Sequence, residues 1–146
     1  MIRTLHPIAG AVGMTAIATF WLSTIAAEAF GGPATILAVK TAILWSLLLL
    51  VPALAATGAT GFRMAARSTH PRILAKRRRM PFIALNGVLV LVPCAVFLQG
   101  RAAAGDFGGL FALVQGIELL AGAANITLMG LNMHDGLALT RRFATD

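Results

Sequence analysis

Three polar side chains recur at every seventh residue in an otherwise apolar stretch near the end of the chain: Glu118, Asn125 and Asn132. On a helix turning about 100° per residue, this spacing drifts only about 20° per step, so the three form one stripe. A carboxyl group and two amides in a line can hold a proton or grip the polar edge of a ligand. Gln115 and Met129 flank the stripe, and Gly122 thins it. Counted from Phe107, where the apolar run begins, Glu118 lies roughly 16 Å deep at about 1.5 Å per residue, close to the middle of a bilayer. A charge facing lipid there is costly, so the stripe is expected to turn toward other helices. Glu118 then needs a cation, an amide cluster or a cofactor beside it. Failing those, it donates a proton to one of the helix carbonyls, Leu48 or Leu89, freed by the prolines four residues on.

The histidines offer a second chemistry. His6 shares a helix face with Gly10, Gly13, Ile17, Phe20, Thr24 and Glu28, all within about 40° of one line. Two glycines one and two turns from a histidine leave the flat wall that a porphyrin needs. Met129 lies on the inward face of the last run at a depth similar to that of His6, and thioether with imidazole is an established axial pair for haem iron. His134 is the other candidate metal ligand, although it stands about 160° around the helix from Glu118. Asn86 and Asn132 complete the expected lining of the site. His70, in a basic connection, is expected to be solvated among arginines able to hold haem propionates.

These residues are carried by four long apolar runs, approximately residues 6–30, 35–63, 81–101 and 107–133. The 146-residue chain is 58% hydrophobic and only 12% charged, which is the composition of an integral membrane protein. The apolar stretch from Ile8 to Ala27 is longer than the core of a signal peptide, so the first run is expected to remain as a membrane helix. Gly31-Gly32-Pro33 breaks the chain into the second run, and Pro52 and Pro93 fall near the middle of the second and third. The fold expected is an all-α membrane protein, one antiparallel bundle of four transmembrane helices spanning residues 1–146.

Four crossings put both termini and the connection 63–80 on one side. That side holds Arg3, seven basic residues of the connection, Arg141 and Arg142, against Lys40 and Arg101 on the other. By the positive-inside rule the basic side is expected to be cytoplasmic, and a bacterial-type inner membrane is the expected location. The net charge of +7 is thereby accounted for by topology, without nucleic acid as a partner. Glu28 and Lys40 flank the short turn on the opposite side and are expected to pair there. Trp21 and Trp45, inside their runs, are expected to pack within the bundle.

Other chemistry is absent from the sequence. The chain has no phosphate-cradling glycine loop, no HExxH and no GxSxG, and its single cysteine, Cys94, excludes both a CxxC pair and an internal disulfide. Four helices with a histidine near a helix end resemble, in architecture, membrane b-type cytochromes and the anchor subunits of quinone-linked dehydrogenases. The expected function is electron transfer with haem b, a quinone being the second candidate ligand, with Glu118 and Asn125 managing a proton deeper in the bundle. Two rivals use the same residues: an accessory subunit whose amide stripe pairs with a partner or a second copy, and a proton-coupled carrier working through Glu118.

Overall fold

The computed structural model describes residues 2–65 and 70–142. All regular structure among them is helical: α1 (Ile2–Phe30), α2 (Pro33–Ala65), α3 (Pro71–Asn86), a π-helical turn (Gly87–Leu91), α4 (Val92–Ala103) and α5 (Gly109–Arg142). The segments α3, π turn and α4 run end to end as a single crossing. With α1, α2 and α5 this makes four helices long and apolar enough to span a membrane. The first crossing packs against α2 and α5, and the third packs against the same two from the other side. The bundle is therefore a closed ring of up-and-down helices.

The turns follow from their residues. At Gly31, a Cβ would stand 2.6 Å from the carbonyl oxygen of Ala27 and 2.9 Å from Cβ of Thr35, so only glycine allows the chain to reverse so tightly. Pro33, lacking an N–H that would have no helical partner, then starts α2. At the other turn, Gly105 takes φ 69°. The N–H groups of Gly105 and Asp106 donate to the carbonyls of Ala102 and Arg101 as α4 ends.

Two boundaries differ from the sequence expectation. The third crossing begins at Pro71 rather than near Pro81, because Pro71 opens the helix and the Nδ1 of His70 accepts from the Arg72 N–H at 3.3 Å. Much of the basic connection, Arg72 to Arg79, is thus helix. The last helix runs on to Arg142, nine residues past the apolar run, since neither glycine at 136 nor the charged residues around it suffice to break it. The π turn ends two residues before Pro93, whose ring would meet the Leu89 carbonyl in a regular helix; widening the turn by one residue relieves that clash.

The packed core lies toward the side of the two short turns. Ala27, Ile36, Leu98, Ala102 and Phe111 are buried there, with Phe97, Phe107 and Val114 packed on them. Phe107 and Phe111 meet edge to face at 5.1 Å. Trp45, expected to pack inside, is 68% exposed and faces outward from the bundle. Trp21 does pack inside: Gly122 leaves room for its ring, and its Nε1 donates to the Leu119 carbonyl at 2.9 Å.

Candidate functional site

The stripe on α5 is enclosed within a single chain. Asn125 is 2% exposed and Asn132 6% exposed. Each member meets a polar group from another crossing, and the three meetings are stacked about one heptad apart.

Nearest the short turns, Lys40 of α2 donates to Glu118 Oε2 at 2.5 Å, and Gln115 Nε2 donates to the same oxygen at 3.0 Å. Lys40 is 1% exposed. It does not form the expected pair with Glu28; no Nζ to carboxylate approach within ion-pair distance joins them. The physical reason is depth. Lys40 lies seven residues into α2 and Glu118 nine residues into α5, both entering from the same face, so they sit about 10 and 14 Å down at about 1.5 Å per residue. A long lysine stem spans that difference easily. The carboxyl group thus has a cation, and neither proline-freed carbonyl is called upon.

At the next level, Asn86 Nδ2 donates to Asn125 Oδ1 and to the Ala121 carbonyl, both at 2.9 Å. Asn125 in turn donates to the Ile83 carbonyl at 3.4 Å, at the end of α3 just before the π turn. Glu118 and Asn125, expected to work on one proton together, therefore belong to separate layers with separate partners. At the third level, Arg79 Nη1 donates to Asp135 Oδ2 at 2.7 Å and more distantly to Asn132 Oδ1 at 3.4 Å. Arg79 and Asp135 are functional neighbours that the sequence reading missed. The signal was present: Arg79 lies one heptad before Asn86 on the line that continues through Pro93 and Gly100.

Beside this ladder runs a cavity of about 720 Å³, within the range of about 300–1,000 Å³ usual for small-molecule sites. All four crossings line it. Its walls are apolar side chains and glycines, with polar groups at intervals: Thr24 and Glu118 toward the turns, Asn125 midway, Asn132 and Lys76 toward the termini. Four of the six methionines, Met14, Met80, Met129 and Met133, line it as well.

The residues proposed for cofactor binding divide accordingly. Gly10, Met129 and Asn132 line the cavity. Asn86 touches it through Asn125. Gly13 is packed beside it, where a Cβ would stand 2.6 Å from Leu54 Cδ2 and 4.0 Å from Met129 Cε. The side chain of His134 is 79% exposed, on the outside of α5 and away from the cavity. His6 belongs to α1, one turn before Gly10, and its side chain lies outside the described residues. Among the described residues no three histidine, cysteine or acidic side chains converge as ligands for a free metal ion. The lining does include the thioethers of Met14, Met80, Met129 and Met133.

No protein-family model matches the sequence, and no curated protein and no solved structure matches it.

Proposed function

We propose that this chain is a small electron-transfer protein of the inner membrane, both termini cytoplasmic, that holds b-type haem between its helices. The observation that carries the reading is the cavity: large, apolar, walled by glycine and methionine, and reached by all four crossings. A macrocycle needs flat walls, which Gly10, Gly58 and Gly87 provide on three different helical segments. Iron needs axial donors. Met129 is the thioether on the stripe side, and His6, one turn before the cavity-lining Gly10 in the sequence of α1, would be the imidazole. Propionates need cations at the terminal end, where Lys76 lines the cavity and arginines crowd the start of α3. A membrane quinone is the natural redox partner for such a site.

The accessory-subunit reading is weaker, because the stripe on which a partner would dock is already paired within the chain. A reduced-minus-oxidised visible spectrum of protein purified after expression with ample haem supply tests the haem reading. The expected result is a b-type spectrum that is lost or altered in His6→Ala and Met129→Ala. A colourless wild-type preparation overturns it.

A further inference from the structure

The layer around Lys40 contains more acceptors than its donors satisfy. Two separate donors, Lys40 Nζ and Gln115 Nε2, converge on one oxygen, Glu118 Oε2. Meanwhile two oxygens in the same layer are buried without any hydrogen-bond donor: Gln115 Oε1 and Glu28 Oε1. Gln115 is itself only 5% exposed. Glu28, on α1, is within electrostatic reach of both Lys40 and Glu118. Thr24, one turn before Glu28, is buried at 3% exposure and lines the cavity beside Glu118.

The charges are unbalanced in the same sense. Lys40 is matched by Glu118, which leaves the carboxylate of Glu28 as an excess negative charge. The other groups facing this layer do not supply a cation. On α4 the neighbour is the thiol of Cys94, which feels both Lys40 and Glu118. Arg101, also on α4, pairs through Nη2 with Asp106 at 2.8 Å and lies over the ring of Phe97, and its buried Nε has no acceptor. Buried acceptors without donors cost free energy, and a buried unpaired charge costs more.

We propose that Glu28 is a proton-binding site opening toward the surface of the short turns, with Lys40, Glu118 and Gln115 as its fixed surroundings. Binding adds one proton from that aqueous face to a Glu28 oxygen, forming an O–H bond and cancelling the excess charge. Release returns the same proton to water. The new hydroxyl adds a donor on Glu28 itself, and Gln115 Oε1 is an unpaired buried acceptor in the same layer. Glu28 is suited to exchange because it is two residues from the end of α1, where Phe30 is 90% exposed. Glu118 is not, because it is deeper and held by two donors. Glu28, Lys40 and Gln115 do not line the cavity, and Glu118 is the group through which the site and the cavity adjoin.

Infrared spectroscopy of the full-length protein in lipid vesicles, titrated over pH in water and in heavy water, tests it. The expected result is one carboxylic-acid C=O band that appears and disappears reversibly with external pH and shifts in heavy water. That band is absent in Glu28→Gln and moves in Gln115→Leu, which removes the acceptor. A wild-type spectrum without a titrating carboxylic-acid band would mean that water alone satisfies these oxygens, and would overturn the proposal. So would a band that survives Glu28→Gln.

Discussion

The half of the bundle near the short turns and the half near the termini are built on different principles. In the first, apolar side chains fill the interior: Leu98 is 0% exposed, and Phe111, Ala95 and Ala102 are each below 5%. In the second, the described residues bury no large apolar side chain; what they bury is glycine and asparagine, and the space between them is cavity. The ionic contacts divide the same way. Lys40 is sealed off at 1% exposure against 12% for Glu118, whereas Arg79 and Asp135 retain 27% and 17%. One half holds the helices together, which permits the other to stay hollow.

Substitutions can break this contrast, and Lys40→Met should do so most severely. It strands Glu118 in the packed half, at a cost of about 3–5 kcal/mol, while the double variant Lys40→Met with Glu118→Leu should recover most of that loss. Unfolding equilibria in mixed micelles measure both. By the same assay, Leu98→Ala is expected to cost about 2–5 kcal/mol, and Met129→Ala, whose side chain borders open space, at most about half as much. Equal costs for the two would contradict the division into packed and hollow halves.

The glycines sharpen the comparison further. A Cβ at Gly122 would stand 2.8 Å from Trp21 Cδ1, so Gly122→Ala should cost about 1–3 kcal/mol and weaken the Trp21 hydrogen bond, visible as a change in indole fluorescence. Gly10 has nothing within 4 Å of that position, and Gly10→Ala should instead stabilise by about 0.5–1 kcal/mol in thermal unfolding. The smallest effect belongs to the terminal ion pair. Arg79→Ala is expected to cost about 1 kcal/mol or less, and that cost should shrink as salt is raised.

Much of this was legible in the residues. Four apolar runs of membrane-spanning length specify the crossings, and the seven-residue recurrence of Glu118, Asn125 and Asn132 marks the inward face of α5. The face of α1 that includes Gly10, Ile17, Phe20 and Thr24 was equally readable, and all four line the cavity. The partner of Glu118 was obscured because Glu28 is closer to Lys40 along the chain; depth within the bilayer, counted from a common face, favours Glu118. The early start of α3 was hidden because hydropathy registers Lys76 to Arg79 as loop, although arginine and lysine are good helix formers. The hollow half could not be read at all, since cavity volume depends on how far apart four helices stand, and no single run encodes that distance.

The haem content of the purified chain, compared with that of Gly58→Phe, probes the central claim most directly. Gly58 lines the cavity and a Cβ there meets only Met80 Cε, at 3.9 Å, so a phenylalanine is aimed into the open space without disturbing the packed half. The account predicts stoichiometric haem in the wild type and little or none in the variant, with unfolding of the two apoproteins alike. A wild type that takes up no haem, or a variant that binds it equally well, would contradict it.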